Sequence, residues 1–226
     1  MTDHDLSELG RDAYDDLQAR HDAREVALRS SRQSIRASAN AIRAAHRGEL
    51  EAARDLVGDS ADHLRRAVDA CDGLPMIRWA GFVADAEKEY AEARCTLAVL
   101  SGDPLPSAAE VGVDTAAWLN GLAETVGELR RFLLDNLRAI DRPDRMDRCE
   151  TLLQTMDDIY SMLVTIDFPD GITSGLRRST DVARSILERT RGDFTTAQLQ
   201  ERLRDALDAH PGPTPPHHGS TPRTTD

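Results

Sequence analysis

Apolar residues recur at helical spacing through most of this chain. Leu6, Leu9, Tyr14, Leu17, Leu28, Ile35, Ile42 and Ala45 follow a 3.6-residue repeat, and no Pro or Gly interrupts them between Gly10 and Gly48. The pattern predicts a helix over 5–47. A second is expected over 49–71, ended by Asp72-Gly73-Leu74-Pro75. A third is expected over 76–101, ended by Ser101-Gly102-Asp103-Pro104. A short helical piece is expected at 107–111. Asp114 or Thr115 caps a fifth helix reaching Ile140. Arg142-Pro143-Asp144 opens another to about Ile166, and Phe168-Pro169-Asp170-Gly171 is a tight loop. Helices at 173–191 and 195–209 complete the set. No stretch alternates with period two, and no internal repeat appears. The expected fold is all-α: a single-domain antiparallel bundle of about seven helices spanning 1–209. Beyond it, from His210, the Pro-, Thr- and His-rich tail 210–226 is expected to be disordered.

Composition narrows this picture. Aromatics make up only 4% of the 226 residues, which favours helix over sheet. No run of about 18 apolar residues exists, so no membrane span is expected. The opening MTDHDLSELGRD is too acidic and polar for a signal peptide. Cys71, Cys95 and Cys149 lie far apart without metal spacing, and read as buried or free thiols in a reducing cytoplasm. The formal net charge is −12, and Lys88 is the only lysine. That balance argues against indiscriminate phosphate binding, but it leaves room for a local arginine patch.

Two helices carry carboxylates in unusual places. On a helical wheel, Trp79, Phe82, Val83, Ala86, Tyr90, Ala93, Leu97 and Leu100 form the apolar stripe of the third helix. Glu89 lies roughly 60° off its centre, with Asp85 and Glu92 further round on the same side. Lys88 points elsewhere on that wheel, so no neighbouring lysine neutralises Glu89 or Glu92. In the fifth helix, Trp118, Leu122, Val126, Leu129, Leu133 and Leu137 form the stripe. Glu124 and Glu128, one turn apart, share a face with Ala117 and Gly121, where small residues let another helix come close. Gly121 and Gly127 each cost up to about 1 kcal/mol relative to Ala in a helix interior, a cost that packing or a site would offset. Two helices with two carboxylates each can build an all-oxygen cage, which selects a hard cation, Mg²⁺ or Mn²⁺. No Glu-x-x-His pair suggests di-iron, and no His or Cys cluster suggests zinc. Spacing alone leaves open the commoner alternative, a solvated acidic face paired with arginines. His46 reads as ordinary surface.

The segments EKEYAEA (87–93) and WLNGLAETVGEL (118–129) resemble two segments of the translin family, in its catalytic, translin-associated branch and archaeal relatives. The family's Glu-Tyr-x-Glu-Ala is matched by Glu89-Tyr90-Ala91-Glu92-Ala93. Its Tyr-Leu-x-Gly-x-Ala-Asp-x-x-Gly-Glu-Leu is matched from Trp118 to Leu129. The stretch 31–48 is similar to the family's first helix, and 158–193 to its last helices. The resemblance implies an all-α fold assembled into a hollow homo-oligomer, octameric or hexameric, with Mg²⁺-dependent endoribonuclease activity on single-stranded or short structured RNA. The family's acids carry over as Glu89, Glu92, Glu124 and Glu128, both as metal ligands and as catalytic residues. Position 124 departs, since the catalytic branch has Asp there and Glu adds a methylene. Glu128 is the candidate acceptor for the proton of an attacking water. Arg36, Arg43, Arg47, Arg177 and Arg178 are the candidate RNA-phosphate contacts, each equally able to pair with a nearby acid. The resemblance also admits a non-catalytic binder of RNA or single-stranded DNA. An all-α nucleoside-triphosphate pyrophosphohydrolase would also use paired glutamates, but with Glu-x-x-Asp in place of Glu124-x-x-x-Glu128.

Overall fold

The computed structural model describes residues 6–139 and 144–209, so the expected tail and residues 140–143 lie outside it. Among the described residues there are nine helices and no strand. They are α1 (Leu6–His46), α2 (Leu50–Asp69), α3 (Pro75–Arg78), α4 (Phe82–Ser101), α5 (Ala108–Val111), α6 (Thr115–Arg138), α7 (Arg145–Val164), α8 (Asp170–Thr173) and α9 (Leu176–Ala209). Six are long, and α3, α5 and α8 are single turns. The helices form two groups. α1, α2 and α4 pack on one another, as do α6, α7 and α9, and the contact between α4 and α6 joins the two. Val126, Leu129 and Leu133 of α6 sit at the centre, against Leu97 and Leu100 of α4, Met156 and Leu163 of α7, and Leu187 of α9. Each such side chain contributes about 1.5–3 kcal/mol by leaving water. The expected cap of α6 is present: the Asp114 carboxylate accepts from the Ala116 N–H at 2.9 Å.

The seam between α1 and α2 is built from small residues. Ser34 and Ser38 each lie 2.8 Å from the Ser60 hydroxyl, all three buried, and the Ser60 hydroxyl also donates to the Ser34 carbonyl in one of its alternatives. All three cysteines are buried and unpaired. Burial pushes the Cys95 thiol up to about 12 and the Cys149 thiol up to about 11, so neither is a thiolate near neutrality. No helix among the described residues is long and apolar enough to cross a membrane.

Three sequence expectations change. The helix expected over 76–101 is broken, because Gly81 takes φ +95 and α4 starts only at Phe82. Trp79 therefore leaves the core stripe and is 65% exposed. The Arg78 guanidinium lies 4.7 Å over its ring and pairs with buried Glu87 at 2.6 Å. The helices expected at 173–191 and 195–209 are one helix, α9. Arg130 of α6 donates to Thr190 at 2.9 Å and to Asp193 at 2.7 Å, and Phe194 is buried in the core. These tertiary contacts straddle Gly192 and outweigh its low helix propensity. Finally, Leu6, Leu9, Tyr14 and Leu17 keep their helical spacing but are exposed, and the first buried residue of α1 is Ala27.

Candidate metal centre

The close approach of α4 and α6 creates the site, and Gly121 permits it. A Cβ added at Gly121 would lie 2.5 Å from the Lys88 carbonyl oxygen, 2.9 Å from the Ala91 Cβ and 2.9 Å from the Glu92 backbone nitrogen. The backbones therefore touch where only a hydrogen fits. One turn further along α6, Glu124 faces Glu89 and Glu92 of α4. Glu89, Glu92 and Glu124 each offer a carboxylate oxygen within 4.8 Å of the others. Gly127 has no such role, since its nearest new contact would be the Ile186 Cδ1 at an ordinary 3.8 Å.

The trio suits a hard divalent cation. Oxygens bound octahedrally at about 2.0–2.1 Å lie roughly 2.9–4.2 Å apart, so small rotamer changes from the observed spacing suffice. The donors are all carboxylate oxygens, the chemistry that selects Mg²⁺ or Mn²⁺ over softer ions. Glu92 is buried, and the cost of burying its charge pushes its carboxyl from 4.5 up to about 8, with Glu124, Glu89 and Glu128 adding repulsion. Burial likewise raises Glu89, while Lys88 opposes the rise. Ionising the three carboxylates together is thus disfavoured, and a bound cation would offset that cost.

Lys88 is closer to this cluster than the helical wheel allowed. Its ammonium sits 2.7 Å from Glu124 and 3.6 Å from Glu89, crossing from α4 to α6. The wheel considers neighbours within one helix only, and Glu124 belongs to another. Asp85, exposed one turn earlier on α4, adds to the field at Lys88 and Glu89 without joining the trio.

Glu128 stands apart from the three. The His46 Nε2–H of α1 donates to its Oε2 at 2.5 Å, and Arg131 lies 3.8 Å from the same oxygen. The hydrogen bond from His46 holds the Glu128 carboxyl below the usual carboxylate range, against the opposing effect of burial. His46 is not the surface residue its sequence suggested: its side chain is 5% exposed, and its Nδ1 has no partner. Its place directly after buried Ala44 and Ala45 was the one available sign.

The five candidate arginines are all exposed. Arg43 donates to the neutral Asn40 amide, Arg47 pairs with Glu49 at 2.6 Å, and Arg177 pairs with Asp167 at 2.9 Å. Among the described residues Arg36 and Arg178 form no ion pair, and none of the five bonds to Glu89, Glu92 or Glu124.

No family profile matches the chain. Solved structures do match. AfC3PO in complex with duplex RNA is 34% identical with a TM-score of 0.74, over 85% of this chain and 96% of that one. The chain belongs to the translin family. AfC3PO alone matches equally, at 34% identity and TM-score 0.74 over 85% and 97% of the two chains. Apo-NeC3PO, at 19% identity and TM-score 0.73 over 87% and 98%, supports the fold alone. An uncharacterised protein of Methanocaldococcus jannaschii is 27% identical over 186 residues, 81% of this chain and 80% of that one. In this translin-family chain the segments 87–93 and 118–129 are facing parts of α4 and α6.

Proposed function

We propose that this translin-family protein binds RNA and cleaves it with a Mg²⁺ or Mn²⁺ ion held by Glu89, Glu92 and Glu124, within a homo-oligomeric shell of eight or six chains. The observation that carries the reading is the meeting of three carboxylates from two helices at the Gly121 contact. The duplex RNA bound by AfC3PO supports RNA as the ligand class; single-stranded DNA is a second proposed ligand. When bound, the ion neutralises charge on the scissile phosphate and acidifies a water for attack. Glu128 serves the chemistry as a base more readily than as a fourth ligand. His46 occupies its Oε2 and keeps it ionised, leaving Oε1 as the atom that takes a proton. Lys88 holds one oxygen each of Glu124 and Glu89, so it would compete with an ion for those carboxylates.

That same lysine favours a second reading. An ammonium already 2.7 Å from Glu124 supplies part of the positive charge the trio lacks, as a non-catalytic RNA binder would need. One experiment separates the two. Labelled single-stranded RNA and a short hairpin are incubated with the protein in Mg²⁺ or in EDTA, beside a Glu89→Gln, Glu92→Gln variant. The nuclease reading expects cleavage in Mg²⁺ only, abolished in the variant. Cleavage that survives EDTA or the substitutions refutes the metal mechanism, and binding without cleavage selects the second reading.

A further inference from the structure

The acidic chain holds one long stretch without any acid. Between Val26 and Gly48 there is no Asp or Glu, although at 40 acids in 226 residues a stretch of this length would carry about four. It holds five arginines instead: Arg29, Arg32, Arg36, Arg43 and Arg47. All lie on α1, and at about 100° per residue they fall within a sector of roughly 60°. The buried residues of α1, from Ala27 to Ala45, occupy the opposite side, and all five arginines are exposed. At a rise of 1.5 Å per residue the row is about 27 Å long. Arg29, Arg32, Arg36 and Arg43 pair with no acid among the described residues; Arg178 and Arg189 share that state singly, while Arg20, Arg65 and Arg184 each hold an acid. Acids bound the row at both ends: Glu25 is taken by Arg24 at 2.7 Å, and Glu49 by Arg47 at 2.6 Å. Between Arg43 and Arg47, His46 turns off the row to hold Glu128.

We infer that this face of α1 is a phosphate track that begins at Arg29 and Arg32 and ends at Arg47, next to the His46 that holds Glu128. The inference rests on the RNA reading above and extends it by two residues and about 10 Å, along a helix that fixes the spacing of its charges. A row of charges that forgo acidic partners costs self-repulsion in isolation, and a polyanion laid along it removes that cost. A nucleic-acid backbone matches it better than a point ligand, because the charges are strung along a line, with a gap between Arg36 and Arg43. Strands held on the track reach the end of α1 at which His46 holds Glu128.

The test measures binding of a labelled single-stranded RNA of mixed sequence by fluorescence anisotropy, in EDTA, across a series of salt concentrations. Wild type is compared with Arg29→Gln, Arg32→Gln and with Arg184→Gln, Arg189→Gln, which removes the same charge from the exposed face of α9. Circular dichroism confirms that both variants fold. Two lost phosphate contacts should reduce the slope of log K against log salt by about 1.4, and by about 1.8 for a duplex, weakening binding on the order of tenfold at 0.1 M salt. The α9 variant should keep the wild-type slope. RNA binding with an unchanged slope in the α1 variant overturns the track while leaving the RNA reading standing. A wild type that binds no RNA overturns both. If the α1 variant falls apart into smaller species on a sizing column with RNA affinity per chain intact, the row meets another copy of the chain and the track is refuted.

Discussion

Gly121→Ala tests whether the fold and the site share one cause. The added methyl would sit 2.5 Å from the Lys88 carbonyl oxygen, whereas ordinary contact begins near 3.4 Å. The obstacle is backbone, so no side chain can swing away, and α4 and α6 must part by about 0.9 Å at this point. Such overpacking costs about 1–3 kcal/mol, offset by about 1 kcal/mol from replacing Gly in a helix. The net loss of up to about 2 kcal/mol lowers the thermal midpoint by up to roughly 8 °C for a domain of this size. The same displacement carries Glu124 away from Glu89 and Glu92 by several times the roughly 0.2 Å tolerance of metal-ligand distances, and should weaken Mg²⁺ binding at least tenfold. Gly127→Ala is the control from the same helix. Its methyl meets only the Ile186 Cδ1 at 3.8 Å, so it should gain up to about 1 kcal/mol and leave Mg²⁺ binding unchanged. Thermal melts and titration calorimetry read both effects. If Gly121→Ala is as stable as wild type and binds Mg²⁺ as tightly, the close approach of the helices does not set the site.

Three further outcomes are expected. Below about 4.5 the Glu92 carboxyl is protonated in both the folded and the unfolded chain, but the folded chain keeps its proton to about 8, so in metal-free protein this contribution to stability is lost as pH rises through that window. Mg²⁺ binding must expel the proton, so affinity should rise up to tenfold per pH unit and level off above 8, and calorimetry in buffers of different ionisation enthalpy should find close to one proton released at pH 7; none released would contradict the burial argument. Lys88→Met removes the ammonium shared by Glu124 and Glu89, and should lower the metal-free thermal midpoint while tightening Mg²⁺ binding about tenfold or more, unchanged affinity meaning that lysine and ion do not compete. His46→Ala takes away the donor that holds Glu128 ionised, so the acidic limb of the pH–rate profile should move to higher pH with Mg²⁺ affinity intact; a lost Mg²⁺ affinity would instead make Glu128 a ligand.

The helices and their main boundaries were legible because apolar spacing records burial directly, and the two acid segments were legible because they sit on the flanks of such stripes. Gly121 could be singled out among small residues, but sequence gave the same standing to Gly127, and only the facing helix separates them. Lys88 and His46 were misread for one reason. Each acts across an interface, on Glu124 and on Glu128, and a wheel drawn on one helix holds no information about its neighbour. The break at Gly81 and the continuity through Gly192 are opposite outcomes for one residue type: at 81 the glycine's own conformational freedom prevails at positive φ, and at 192 Arg130 gripping both sides of the glycine overrules it.

The first half of α1 has a stability of its own. From Leu6 to Asp22 every residue is exposed, so a single chain offers this segment little more than its own backbone hydrogen bonds. A free helix of about 12–15 residues is marginal in water. The segment therefore belongs to the low end of the molecule's local opening free energies, far below the α4–α6 core. Its amide protons report on whatever covers Leu6, Leu9 and Leu17: they exchange fast when the chain is alone, and slow down in step with burial of that stripe.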